Sequence, residues 1–155
     1  LPILSNFSTL IIHTPMLSGL KGPGGRMDSF DHKMSKSDPE NAILLDDDSE
    51  SIRTKIRKSF LDVGNDKSPI FEISQHVIMP KLGKVVVSPD PKYGKPSEWT
   101  DQQQFVDAVS NGEIHPLDAK MAVADALFEV LEPISQHFSD KQDLIESINS
   151  ISGKS

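Results

Sequence analysis

Residues 9–42 read TLIIHTPMLSGLKGPGGRMDSFDHKMSKSDPENA, a short apolar run followed by a long glycine-containing segment. The run TLII at 9–12 includes β-branched residues and stops before a proline, a pattern typical of a buried strand. The segment after it has glycines at positions 19, 22, 24 and 25 and no hydrophobic periodicity. This composition predicts a mobile surface loop.

The predicted strand needs partners, because one strand cannot satisfy its own backbone hydrogen-bonding groups. We therefore expect the first ~20 residues to complete a sheet supplied elsewhere, as in a piece of a longer protein. The chain begins with Leu1, and its opening has neither the basic start nor the cleavage site of a signal peptide.

The rest of the chain is patterned mainly as helices. Their starts are predicted where capping residues or an early proline precede apolar periodicity, at 46–49, 68–69, 100–103, 115–116 and 139–142. The first helix has an apolar stripe of Ile52, Ile56 and Phe60. Pro80 is expected to end the second helix, and Pro133 to kink or divide the longest one.

Between the second and third helices, Val85–Val87 predicts a short strand, and the proline-rich residues 88–98 predict an exposed connection. The third helix is expected to begin with a capping box formed by Thr100 and Gln103. The predicted architecture is therefore mostly α: one strand, a glycine-rich loop and a helical bundle, with a division into residues 1–45 and 46–155.

Composition excludes several classes of protein. The chain has no cysteine, so disulfides and thiolate metal sites are absent, and no apolar run approaches the ~20 residues of a membrane span. The net charge is −7, and residues 101–155, with ten acidic and three basic residues, account for all of it. This charge argues against a general polyanion binder. Any nucleic acid would be bound through a few local cations, or through base recognition by uncharged and acidic side chains.

The pentapeptide Lys33-Met34-Ser35-Lys36-Ser37 carries the most specific chemistry. Two ammonium groups three residues apart on a flexible loop can close over a triphosphate, while hydroxyl groups and loop amides add hydrogen bonds. Positive charge placed where negative charge develops is the main contribution to catalysis of nucleotidyl transfer. For an arbitrary K-x-x-K a solvated surface pair is the ordinary explanation, but the full pentapeptide followed by Ser-Asp-Pro favours a nucleotide site.

KMSKS is also the second signature of the class I aminoacyl-tRNA synthetases, which this chain resembles. Four segments resemble the tyrosyl-tRNA synthetases of the archaeal and eukaryotic type in order and spacing. They are HTPMLSGL at 13–20, IRTKIRKSF at 52–60, SPIFEISQHVIMPKLGKVVV at 68–87 and GEIHPLDAKMAVADALFEVLEPI at 112–134. The resemblance covers nearly the whole chain, and its HPLDAK block favours tyrosyl over tryptophanyl enzymes.

The resemblance implies a fold and partners. Residues 1–45 would end a Rossmann-like α/β catalytic domain with its KMSKS loop, and residues 46–155 would form a helical anticodon-binding domain. The parent enzyme would be a cytoplasmic homodimer without membrane contact that binds tRNA(Tyr), tyrosine through the missing catalytic half, and ATP with Mg²⁺ as a substrate. No tightly bound cofactor is expected.

Within the loop, the resemblance assigns Lys33 and Lys36 to stabilisation of the departing pyrophosphate. Met34 matches a residue near the adenine, and Ser35 and Ser37 are expected to bind ATP as well.

Within the helical domain, the resemblance assigns Tyr93 to stacking on the first anticodon base. Asp118 would recognise that base, a guanine, by accepting hydrogen bonds from its Watson–Crick edge. His115 and Pro116 match neighbours in the same pocket, and Phe60 matches an aromatic residue close to the anticodon loop.

Each anticodon assignment has a plainer alternative. Asp118, near a helix start, could simply compensate the helix dipole. His115 could be a helix-capping residue, and the Tyr93 side chain could cover part of the helical bundle. Aromatic stacking combined with polar groups on the base edge is nevertheless how proteins recognise unpaired bases. The chain departs from the family pattern at Lys95, where a second glycine is usual.

The chain contains no H-x-G-H string, which class I catalysis requires. We therefore expect this chain alone not to activate tyrosine. Two alternatives remain: a non-catalytic, synthetase-derived module that binds tRNA, and a piece of a tryptophanyl-tRNA synthetase. The intact KMSKS argues against the first, because a non-catalytic loop does not need both lysines.

Overall fold

The computed structural model describes residues 14–22, 33–35, 37–45 and 47–139. Within these ranges the chain is mostly helical, as predicted, with one two-stranded antiparallel sheet. The strand predicted at 9–12, most of the glycine-rich loop and the helix predicted after Ser139 lie outside the described residues.

The helices are α1 (Ser49–Lys58), α2 (Pro69–Ile73), α3 (Met79–Leu82), α4 (Gln102–Ser110) and α5 (Pro116–Ser139). A π-helical segment, Ser74–Ile78, joins α2 to α3, and a 3₁₀ turn covers Pro39–Asn41. The strands are β1 (Val85–Val87) and β2 (Ser97–Trp99). The connection predicted over residues 88–98 therefore ends in strand β2. The sequence did not predict this strand, because the prolines and the glycine before it indicate a loop.

Two helix starts show how well capping patterns predict boundaries. Helix α1 begins where predicted, because the Asp48 carboxylate accepts a hydrogen bond from the Ser51 N–H at 2.7 Å. At α4 the predicted cap, Thr100, is wrong by one residue. Asp101 caps this helix instead and accepts from the Gln104 N–H at 2.9 Å, because aspartate is the stronger capping residue.

Contrary to prediction, Pro80 does not end its helix, and Pro133 does not divide its helix in two. The helical path continues past Pro80 to Leu82 and ends at Gly83, whose φ is 74°. Just before the proline the Met79 N–H donates to the Ser74 carbonyl, a wider π-type turn that accommodates a residue without an N–H. Pro133 lies on the exposed side of an undivided α5, where water can bond to the carbonyl that it leaves free.

Helix α5 packs across α1, β1 and the π-helical segment. The core between them includes Ile52 and Ile56 of α1, as predicted, and an edge-to-face pair, Phe71 and Phe105, whose ring centroids are 6.0 Å apart. Phe60, predicted to extend the α1 stripe, lies beyond the end of the helix and is 38% exposed.

The segment before the glycine-rich loop is attached to the same core. Leu20 is 1% exposed; its N–H donates to the Asn41 carbonyl at 3.0 Å, and its carbonyl accepts from the Phe60 N–H at 2.7 Å. The Ser18 N–H donates to the Glu72 carboxylate at 2.8 Å. The division at residues 45 and 46 stays a prediction.

Candidate nucleic-acid interface

A cleft of about 300 Å³ lies between the loop after β1, strand β2 and the start of α5. It brings together three of the predicted anticodon residues, Tyr93, His115 and Asp118. The other lining residues are Val87, Pro89, Gly94, Lys95, Ser97, Trp99, Gly112, Glu113 and Ile114.

The start of α5 positions one wall of the cleft. Gly112, with a φ of 77°, takes the left-handed conformation that ends α4, and Pro116 occupies the first helical position of α5. The Leu117 N–H donates to His115 Nδ1 at 3.1 Å, so His115 caps the helix and also lines the cleft. Because Nδ1 accepts, the neutral imidazole carries its proton on Nε2 and has a donor there.

Asp118 lies in the first turn of α5 and is half-buried. A carboxylate here compensates the positive end of the helix dipole, as the alternative explanation required. Within the described part of the chain, however, no group donates a hydrogen bond to it. Its oxygens are therefore available to accept hydrogen bonds from a molecule in the cleft.

The loop after β1 presents Tyr93 at the rim. The N–H groups of Tyr93 and Gly94 both donate to the Asp90 carbonyl, at 2.8 and 3.3 Å, which forms a tight turn. A Cβ at Gly94 would lie only 3.1 Å from Pro89, so glycine suits this close approach. The Tyr93 side chain is 84% exposed, so covering of the bundle does not explain it.

The sequence did not identify Trp99, Ser97 or Glu113 as cleft residues. Trp99 and Ser97 are alternate residues of β2, and the Trp99 Nε1–H donates to Ser97 Oγ at 3.0 Å. The alternation of β2 was hidden because its three residues follow a proline-rich run. Glu113 and Lys95 both line the cleft, so the lining contains both signs of charge.

Pro116 and Phe60 do not line the cleft. Pro116 adjoins it at the start of α5, whereas Phe60 covers Gly22, where a Cβ would lie 2.4 Å from the Phe60 ring. Their roles stay predictions, and Phe60 has a clear structural one at the entrance to the glycine-rich loop.

The described part of KMSKS is held close to the segment before the loop. Lys33 forms an antiparallel bridge with Ser18, and the Met34 N–H donates to the Leu17 carbonyl at 3.4 Å. Lys33 is exposed, while the Met34 side chain is half-buried and packs against the core. Lys36 lies outside the described residues.

The two serines of the pentapeptide contact each other, with their hydroxyl oxygens 2.8 Å apart. The Asp38 N–H donates to the Ser35 carbonyl at 3.1 Å, and the Asp38 carboxylate pairs with Lys21 at 2.7 Å. Lys33 takes part in none of the ion pairs found between described residues.

Among the residues the structure describes, no group of three or more His, Cys, Asp or Glu side chains could hold a metal ion. None of the described helices combines the length and the apolar character needed to cross a membrane.

Comparison with known proteins gives a consistent family. The sequence-family model of the class I tRNA synthetases (W and Y, for tryptophan and tyrosine) matches residues 9–132 of this chain. The tyrosine–tRNA ligase of Aeropyrum pernix is 35% identical over 153 residues, which is 92% of this chain and 42% of that protein. The chain thus spans about two fifths of the length of this relative.

Solved structures agree. The crystal structure of the tyrosyl-tRNA synthetase of Aeropyrum pernix superposes with a TM-score of 0.73 at 32% identity, over 92% of this chain and 39% of that one. The tyrosyl-tRNA synthetase of Archaeoglobus fulgidus, complexed with L-tyrosine, gives a TM-score of 0.65 at 37% identity, over 77% of this chain and 35% of that one.

Proposed function

The chain belongs to the class I tRNA synthetases for tryptophan and tyrosine, and from this premise we propose that it is part of a tyrosine–tRNA ligase. Its proposed task is to supply the KMSKS loop and to recognise the anticodon of tRNA(Tyr). Residues 1–45 would end a Rossmann-like catalytic domain, and residues 46–155 would form the anticodon-binding domain. The tyrosine ligases among its relatives support tyrosine over tryptophan.

One observation carries the anticodon proposal: the Asp118 carboxylate has no hydrogen-bond donor among the described residues, and it lies in a cleft with an exposed aromatic side chain. Guanine presents two adjacent donors on its Watson–Crick edge, N1–H and N2–H₂. One carboxylate can accept a hydrogen bond from each of them. Tyr93 supplies a face for stacking. His115 adds a donor at Nε2.

The loop proposal concerns the first reaction. A carboxylate oxygen of tyrosine would attack the α-phosphorus of ATP, forming the acyl-phosphate bond while the bond to the β-phosphate oxygen breaks. Pyrophosphate leaves with that electron pair. Lys33 and Lys36 would stabilise the charge of the leaving group, a contribution largest in the transition state. Mg²⁺ enters with ATP as part of the substrate.

Other features of the complete enzyme are proposed from the family resemblance. They are a homodimer formed mostly through the upstream domain, a tyrosine site in that domain and a cytoplasmic location. Sedimentation of this chain alone tests the first of these: a monomer is expected, and a stable dimer would place the dimer interface in this chain.

Titration of the chain with four RNA hairpins, identical except for the first anticodon base, tests the anticodon proposal. The guanine hairpin is expected to bind most tightly. A fifth hairpin with inosine there lacks the 2-amino donor and should bind more weakly than guanine. Equal affinity for all five hairpins would contradict recognition of this base.

A further inference from the structure

We propose that Trp99 is a base-contacting residue of the cleft, whose indole face supports the same nucleobase that Asp118 recognises. This inference rests on the proposed function, because it needs RNA in the cleft. It adds a second aromatic surface to the one supplied by Tyr93. Three observations carry it: the side of the sheet on which Trp99 lies, the bond that orients its ring, and the size of the cleft.

The pairing of β1 with β2 determines the side of the sheet. Val85 lies opposite Trp99 and Val87 opposite Ser97, and residues directly opposite each other share one face of a sheet. Val87, Ser97 and Trp99 all line the cleft. Glu98, between them, points to the other face, where it pairs with Lys84 at 2.8 Å.

The indole is oriented before any ligand arrives. Its Nε1–H donates to Ser97 Oγ at 3.0 Å, and its half-buried ring packs against the core. The only hydrogen-bond donor of the ring is therefore used within the sheet, so a ligand in the cleft would meet the apolar, aromatic part of Trp99. An aromatic side chain that is already held in place loses little conformational entropy on binding. Tyr93, which is 84% exposed at the rim, would lose more.

The cleft suits one base more than a longer stretch of RNA. Its volume of about 300 Å³ lies at the lower end of the ~300–1,000 Å³ range of small-molecule pockets. Stacking is tolerant of base identity because every base has a face. Trp99 thus contributes affinity, while Asp118 contributes the preference for guanine.

The test uses an advantage of the sequence: Trp99 is its only tryptophan, so its fluorescence in the unmodified full chain reports on the cleft alone. Titration with the guanine hairpin should change the tryptophan emission. A hairpin with an abasic site at the first anticodon position should bind without that change. A hairpin with an abasic site at the next position should still give it.

Variants supply the second measurement. Trp99→Val should weaken binding of the guanine hairpin roughly 5- to 150-fold, and Trp99→Phe should recover much of the loss while keeping the fold. Leu82→Ala is the matched control, because Leu82 packs half-buried against the same core but lines a different groove. It should leave affinity within about twofold of the unmodified chain, a change far below the stacking contribution.

The outcomes separate this inference from the proposed function. One outcome overturns the role of Trp99 and leaves the proposed function standing. In it, the preference for guanine depends on Asp118, but the tryptophan emission does not change and Trp99→Val binds normally. An emission change that follows the neighbouring base also overturns it. Absence of any base preference overturns the proposed function, and the role of Trp99 with it.

Discussion

The ε-amino group of Lys120 lies 2.6 Å from the carbonyl oxygen of Ser59 and 3.2 Å from that of Arg57. These carbonyls belong to the end of α1, where the last turn of a helix lacks partners of its own. The next residue, Phe60, donates its N–H to Leu20, before the glycine-rich loop. Lys120 therefore joins the helix that carries Asp118 to the chain segment that supports the loop.

Replacement of this lysine should destabilise the fold. In Lys120→Met the apolar stem remains but two carbonyls lose a charged donor, so the free energy of unfolding should fall by roughly 1–2 kcal/mol. Burial lowers the pKa of Lys120, and this cost of burying its charge offsets part of the loss. Urea unfolding of Lys120→Met and of the unmodified chain measures this change in the free energy of unfolding. Lys58→Met, at an exposed position of α1, is the control, and an equal effect there would contradict the bridging role.

Asp118→Ala should weaken charging of tRNA with guanine in the first anticodon position and leave tyrosine activation nearly unchanged, because no described residue of the KMSKS loop lines the cleft. The loss of an acceptor opposite buried donors should cost roughly 1–3 kcal/mol and relax discrimination. Tyr93→Ala should weaken charging of all four bases more evenly. The measurement is charging efficiency on four transcripts, in an enzyme completed with an archaeal catalytic half.

Asp118→Asn serves as the matched control for that experiment. It keeps the size of the side chain but replaces one acceptor oxygen by a donor group. If both variants lose charging equally for all four bases, Asp118 supports the helix start and does not recognise guanine.

Removal of Lys33 or Lys36 should slow tyrosine activation by ~10²–10³-fold and change tyrosine affinity little, because their partner is most strongly charged in the transition state. ATP–pyrophosphate exchange measures this in a chimaera that joins this chain to the catalytic half of the Aeropyrum pernix enzyme. Lys67→Ala, an exposed lysine outside the loop, should have no effect. Normal exchange in the double variant would contradict the assignment.

The cap of α1 should make stability depend on pH. The hydrogen bonds from Ser51 lower the pKa of Asp48 in the folded chain, so its ionised form is favoured by folding. Its contribution is present above the pKa of the unfolded aspartate and is lost as the pH falls through the lowered pKa. Asp48→Ala should therefore lower the Tm at neutral pH, and the difference should shrink in acid.

Asp48→Asn separates the charge from the cap in the same series. Asparagine caps a helix about as well as aspartate but does not ionise. Its Tm should thus be near that of the unmodified chain at neutral pH and should not share the acid-dependent loss. A constant difference between Asp48→Ala and the unmodified chain at every pH would show that the cap does not titrate.

Local signals predicted the features that depend on neighbouring residues. The cap before α1 and Pro116 at the start of α5 both act within one helical turn, so they are visible in a short window of sequence. The same windows failed where two capping residues adjoin, at Thr100 and Asp101, since spacing alone does not rank them. They also failed at Pro80, where a π-type turn accommodates the proline.

The sequence by itself determined the family and the helical character of the chain, because motifs and periodicity are properties of order along the chain. The resemblance to that family then indicated three residues that line the cleft, Tyr93, His115 and Asp118. Only the tertiary structure decided that Trp99 joins them and that Phe60 lies over Gly22 instead. The reason is physical: a cleft is formed where distant segments pack together, and the side of β2 that faces it follows from pairing with β1.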